Sequence, residues 1–282
     1  MSPGPLLEVT GLVKTFGGVR AVDGLTFRIA PGETISLIGP NGSGKTTVFN
    51  LVTGLLRPDS GEVTFDGRRI TGAPPEQIAE LGMARTFQNG RVFANMTVAE
   101  NLMVGMHGRL RAARPLGRWR HAPVGRWAPL LAETVVALVR PPGVRREEEA
   151  CQRETSAELE RFGERLAPRR DQRAFSLSYA NRRRTEIARA LSMRPRLLLL
   201  DEPTAGMNPT ETGELLGQLA ALRAEGHTIL LIEHKLDFVM ALSDRVLVLD
   251  YGKLIAQGTA SQVQSDERVI EAYLGRRGGP VC

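Results

Sequence analysis

The sequence predicts an α/β fold with a mostly parallel sheet, and three observations predict it. Short β-rich runs bounded by turn residues fill roughly the first hundred positions. Unbroken apolar runs of strand length alternate with helical periodicity beyond about residue 182. Between about 89 and 176 the strand signals vanish, so a helical or irregular segment interrupts the α/β pattern.

Taken in order, "LLEVTGL", "LTFRIAPGE", "TISLIGPNG" and "EVTFDGR" alternate Val, Thr, Phe and Ile between Gly, Pro and Asp, which reads as strands. After Gly44 the apolar spacing of "KTTVFNLVTGLL" fits a helix, so a strand, a glycine-rich turn and a helix follow one another. The later runs "LLLLD" (197–201), "TILLIE" (228–233) and "RVLVLDYGKLIAQG" (245–258) suit strands buried on both faces. Helical periodicity at 182–193 and 210–224 fills the gaps. No internal repeat is present, so the chain carries one such unit and not a tandem pair.

At 282 residues, with 42% hydrophobic and 24% charged residues, the composition is globular. No run approaches the ~20 apolar residues of a membrane-spanning helix. The start, "MSPGPLLEVTGLVK", lacks the pattern of a secretory signal, and a cytoplasmic location is expected. Cys151 and Cys282 are too few for a disulfide framework and match no metal-site spacing, so both are expected as reduced thiols. The net charge of +6 is concentrated: residues 107–150 hold nine Arg against four Glu. Such a stripe is either a solvated insertion or a surface for nucleic acid or anionic lipid headgroups.

Residues 39–46, "GPNGSGKT", fit the phosphate-loop pattern GxxxxGK[ST]. Glycines let successive backbone N–H groups curl around β- and γ-phosphates, the following helix presents its positive end, and Lys45 neutralises charge. Thr46 is the expected Mg²⁺ ligand. In "LLLLDEP" an apolar strand delivers Asp201, which can hold Mg²⁺ directly or through water, and Glu202, which can deprotonate the attacking water. Together the two motifs predict a nucleotide hydrolase.

With these residues in place, the chain resembles the ATP-binding subunit of an ABC transporter over about residues 7–275. The resemblance implies a P-loop NTPase (RecA-like) core of mixed and parallel sheet, an antiparallel β subdomain and an inserted helical subdomain. The implied boundaries are a core of about 5–88 and 192–262, a helical subdomain of about 89–191, and a tail helix of about 263–275. It implies ATP as substrate with Mg²⁺, bound by Gly39, Pro40, Asn41, Gly42, Ser43, Gly44, Lys45, Thr46 and Thr47. "TFQNGRVF" resembles the Q-loop, which makes Gln88 a contact to Mg²⁺ and water; "TAGMNP" resembles the D-loop; "LLIEH" places His234 as the switch histidine at the γ-phosphate. Phe16 is either a strand-end core phenylalanine or, by the resemblance, the aromatic that stacks on adenine.

"FANMTVAENLMVGMH", the tyrosine of "LSYANRRRTEIARAL" and the tail "VIEAYLG" resemble the branched-chain amino acid importers most. The implied function is ATP hydrolysis that energises uptake of branched-chain or related hydrophobic amino acids. Implied partners are transmembrane permease subunits, a second ATP-binding subunit of the same or a different sequence and, indirectly, a substrate-binding protein, at the cytoplasmic face of the membrane. A lipid or lipopolysaccharide exporter, a urea or amide importer, and a soluble ATPase acting on nucleic acid stand as alternatives; the last lacks the tandem cassettes or long coiled coil of such proteins. The Arg-rich excursion 107–128 is expected near anionic headgroups.

In the family's signature, LSGGQ or LSYGQ, the serine and glycine cap the γ-phosphate of the partner's ATP. Ser178 is present here, but Ala180 stands for the glycine and Asn181 for the glutamine. A Cβ crowds an approach that glycine leaves open, and a positive φ at that position would strain alanine by about 1 kcal/mol or more. Asn181 is a methylene shorter than glutamine. The expectation is therefore an intact phosphate site on this chain and a weakened signature toward its partner.

Overall fold

The computed structural model describes residues 4–87, 92–109 and 142–274. Gln88 and most of the Arg-rich excursion lie outside the described residues. By its internal contacts the chain divides into two units, one of residues 1–91 with 195–282 and one of residues 92–194.

The first unit contains two sheets. Strands β1 (Leu7–Phe16), β2 (Val19–Ile29), β4 (Ser60–Phe65) and β5 (Arg68–Arg69) form an antiparallel sheet in the order β2-β1-β4-β5. The second sheet has six strands in the order β10-β9-β3-β8-β7-β6. Its members are β3 (Thr34–Ile38), β6 (Met83–Arg85), β7 (Leu197–Asp201), β8 (Thr228–Ile232), β9 (Arg245–Asp250) and β10 (Lys253–Gly258). All its pairings are parallel except the edge pair of β9 with β10.

Every residue of β3, β7 and β8 is buried. That explains their sequences: a strand covered on both faces reads as a continuous apolar run, without alternation. Helix α1 (Lys45–Val52) buries Val48, Phe49, Leu51 and Val52 in one cluster with Leu7, Val9 and Phe65 of the antiparallel sheet and Leu37, Leu199 and Leu230 of the parallel one. A single core therefore holds both sheets and the helix that follows the glycine-rich turn.

The run 245–258, read in the sequence as one stretch, is two antiparallel strands. Tyr251 and Gly252 turn the chain with φ values of 42° and 78°, both in the left-handed region. A two-residue turn of that kind matches the twist of a hairpin, and glycine at its second place adopts it without penalty. The tail is also more broken than one helix: α8 (Ala260–Gln264) and α9 (Glu267–Leu274) follow β10. Helices α2 (Pro75–Glu80), α6 (Pro209–Ala224) and α7 (Leu236–Leu242) complete this unit. An Asn208–Glu211 capping box starts α6, with the asparagine side chain accepting from the Glu211 amide at 2.9 Å.

The second unit is helical, with α3 (Val98–Met106), α4 (Pro142–Arg161) and α5 (Tyr179–Ser192), and its described residues contain no strand beyond one isolated bridge of Thr97 with Arg173. Buried Asn101 ties the approach to α3: its side chain accepts from the Phe93 amide at 2.8 Å and donates to the carbonyls of Phe93 and Thr97. In α5, Arg183 and Glu186 pair at 2.9 Å with side chains only 1% exposed.

Leu230 is fully buried in β8, between β3 and β7, so Leu230→Ala is expected to cost about 2–5 kcal/mol. Removing the α6 cap with Asn208→Ala should cost about 1 kcal/mol. Denaturant midpoints of the two variants measure the ranking, and an equal shift would contradict it.

Candidate functional site

The parallel strands all end on the same side of the sheet, and each hands its chain to a loop there. From β3 the chain enters Gly39; from β7 it delivers Asp201 and Glu202; from β8 it delivers Glu233 and His234; from β6 it passes through Thr86 toward residue 88. These loops make the candidate site.

Gly39, Gly42 and Gly44 have φ of 149°, 81° and 103°. At Gly39 the requirement is steric as well: a Cβ would lie 2.1 Å from the Leu249 carbonyl oxygen, so no other residue fits without moving β9. Helix α1 begins at Lys45 without a side-chain cap. Its first amides are therefore directed out of the helix with its positive end, the arrangement that attracts a phosphate. Lys45 Nζ donates to the carbonyls of Gly39 and Pro40, each at 2.8 Å, which folds the ammonium over its own loop. Burial pushes its pKa below the usual lysine value, and the carboxylates of Glu202 and Asp201 pull it back up. Thr46 is exposed and Thr47 half-buried at the start of the helix.

Asp201, 2% exposed, pairs with Arg85 at 2.9 Å. Arg85 also donates to the side chain of Asn50 at 2.7 Å and lies over the rings of Phe49 and Phe87. A buried carboxylate needs such a partner to stay ionised. The Asp201 amide donates to Thr86 Oγ1 at 3.3 Å, which ties the end of β7 to the segment leading to residue 88.

Glu202 has φ 48°, a left-handed conformation that costs a non-glycine residue of order 1–3 kcal/mol. Its amide donates to the Ile232 carbonyl at 2.9 Å, and its carboxylate meets His234 Nε2 at 2.8 Å. The carboxylate is thus aimed by a strained backbone on one side and an imidazole on the other.

Phe16 is 46% exposed at the end of β1, with Lys14 Nζ 5.6 Å from its ring. It is not a core side chain.

Ser178 and Ala180 belong to the other unit. Ser178 caps α5, its hydroxyl accepting from the Asn181 amide at 3.3 Å. Ala180 lies inside the helix with no positive φ and is 3% exposed. Its methyl group is packed within the protein, and its backbone carries no left-handed strain. Asn181 Oδ1 accepts from Arg184 at 3.1 Å, a contact suited to the shorter amide.

Arg85 and Glu233 are site residues that sequence reasoning passed over. Arg85 lies in a strand of only three residues, too short to show a period. A charged residue ending the apolar run "TILLI" was a signal for Glu233.

A profile for ABC transporters matches residues 22–205, and one for branched-chain amino acid ATP-binding cassette transporters matches residues 253–278. The branched-chain amino acid transport ATP-binding protein BraF of Pseudomonas aeruginosa is 41% identical over 96% of this chain and 98% of its own length. The corresponding LivG of Escherichia coli K12 gives the same figures. A crystal structure of the ADP conformation of an ATP-binding cassette of an ABC transporter superposes with a TM-score of 0.76 at 33% identity, covering 97% of this chain and all of the other. A phosphate loop, an acid pair and a histidine gathered on one sheet edge, with relatives matched along nearly the whole sequence, place this chain in the ABC transporter family.

Proposed function

We propose that the chain is the ATP-hydrolysing subunit that energises uptake of branched-chain amino acids. The match of its C-terminal residues 253–278 to the branched-chain amino acid cassette profile carries the substrate class. It favours import of these amino acids over lipid export, urea or amide import, or action on nucleic acid.

In this reading the phosphate loop, residues 39–47, cradles the nucleotide through its backbone amides, and Lys45 offers its charge to the β- and γ-phosphates. Exposed Phe16 stacks on the adenine. Water attacks the γ-phosphorus, Glu202 accepts its proton, and the bond to the β–γ bridging oxygen breaks to leave ADP and phosphate. His234 Nε2 holds the Glu202 carboxylate in place and reaches the γ-phosphate. Gln88 would contact the metal and the water. The donor set suits Mg²⁺: the Asp201 carboxylate and the Thr46 hydroxyl are hard oxygen ligands, and no cluster of three acidic, His or Cys residues exists among the described residues, so phosphate oxygens would complete the shell. Bound there, Mg²⁺ neutralises charge on the phosphate oxygens.

No helix among the described residues is long and apolar enough to cross a membrane. By the transporter names of its relatives, translocation falls to permease subunits, with this chain peripheral on their cytoplasmic side. A second ATP-binding subunit, identical or different, receives Ser178 and the positive end of α5 at its nucleotide. A substrate-binding protein supplies the amino acid from the far side.

Glu202→Gln keeps the shape of the side chain and removes the base. Turnover of the assembled complex should fall by about 10²–10⁴-fold while nucleotide binding by the chain persists. Phosphate release and nucleotide titration measure both, and turnover within a few-fold of the parent would remove Glu202 from the role. For the signature, Ala180→Gly should leave turnover within about twofold and lower stability by up to about 1 kcal/mol, because glycine loosens a helix. A rise in turnover of tenfold or so would restore the reading of an impaired signature.

A further inference from the structure

We propose that Glu233 is a positioning residue for ATP hydrolysis, which holds the Glu202 turn and the His234 loop at the separation their hydrogen bond needs. The inference rests on the ATPase reading above.

Glu233 ends β8 and is 3% exposed. Its two oxygens serve different loops. Oε1 accepts from the Thr204 amide at 3.1 Å and from the Thr204 hydroxyl. Oε2 accepts from the His234 amide at 2.7 Å and the Lys235 amide at 3.3 Å. Thr204 is two residues beyond Glu202 and fully buried, and the turn between them is closed by the Ala205 amide donating to the Glu202 carbonyl at 3.1 Å. One carboxylate therefore grips the backbone on both sides of the 2.8 Å contact between Glu202 and His234. The amide of Glu202 is separately tied to Ile232, but that bond leaves the His234 backbone unconstrained. Lys235 reaches the same segment, its Nζ donating to the carbonyls of Thr204 at 3.5 Å and Met207 at 3.4 Å.

The donor pattern demands an acceptor at both oxygens. Three of the four partners are backbone N–H groups, which can only donate, and a carboxylate is the side chain that only accepts. Glutamine at this place would turn its NH₂ toward one pair of donors and release one loop. Aspartate, a methylene shorter, could not span both. A displacement of about 1 Å between base and histidine is enough to cost on the order of 10²-fold in rate without touching nucleotide affinity.

The test is steady-state and single-turnover hydrolysis by the assembled complex, with Glu233→Gln placed alone and on a His234→Ala background. Glu233→Gln is expected to lower kcat by about 10- to 100-fold with KM for ATP within about twofold and the chain still folded. On the His234→Ala background the same change should cost less than about threefold, because the contact it serves is already gone. Thr204→Val removes only the hydroxyl donor and should lower kcat by a few-fold, which keeps the proposal testable if Glu233→Gln does not fold. Wild-type kcat in Glu233→Gln or Thr204→Val would overturn it. So would an equal loss with and without His234, or a loss confined to KM, since either marks a merely structural acid. Absence of hydrolysis in the parent complex would instead remove the ATPase reading, and this proposal with it.

Discussion

Three parallel strands, β3, β8 and β7, lie side by side with every residue buried, and their pairing fixes where the chemistry occurs. Because both faces are covered, none of them can slip in register without driving apolar side chains out of the core. Their ends are consequently rigid anchor points, set about one strand spacing apart, ~5 Å from neighbour to neighbour. The phosphate loop grows from β3, the histidine from its neighbour β8 and the acid pair from β7 beyond it. Changing the register of one would separate the phosphate loop from the base.

What the sheet brings together is a concentration of charge in a buried place. Asp201, Lys45 and Glu233 are each less than a tenth exposed, and taking a charged group out of water is costly unless partners replace the water. The structure opposes that with specific partners: Arg85 for Asp201, loop carbonyls and two carboxylates for Lys45, and four donors for Glu233. The left-handed Glu202 adds a local cost that the surrounding core absorbs. Stability is thereby exchanged for a carboxylate that already points at His234.

Much of this was legible in the sequence, because its signals are local. The phosphate loop is a run of eight consecutive residues, "GPNGSGKT", and the acid pair and histidine each stand directly after an apolar run that can only be a buried strand. The division of 245–258 into a hairpin was missed since Asp250–Tyr251–Gly252 interrupts the apolar pattern only briefly, and the turn depends on two left-handed residues. The contacts of Arg85 and Glu233 were illegible for a different reason. Their partners, Asp201 and Thr204, lie 116 and 29 positions away, and only the folded sheet makes them neighbours. At Ala180 the sequence shows only a departure from a motif, and the helix adds that its backbone is ordinary and its methyl group buried.

In the proposed function, hydrolysis at the ends of these strands drives inward movement of branched-chain amino acids. Its most direct test is uptake of labelled leucine, isoleucine and valine into proteoliposomes holding the chain with its permease and partner subunits, the binding protein on the outside and ATP within. The account predicts accumulation that requires internal ATP and is accompanied by phosphate release. Phosphate release without accumulation of any of the three, or movement out of the vesicle, would contradict it.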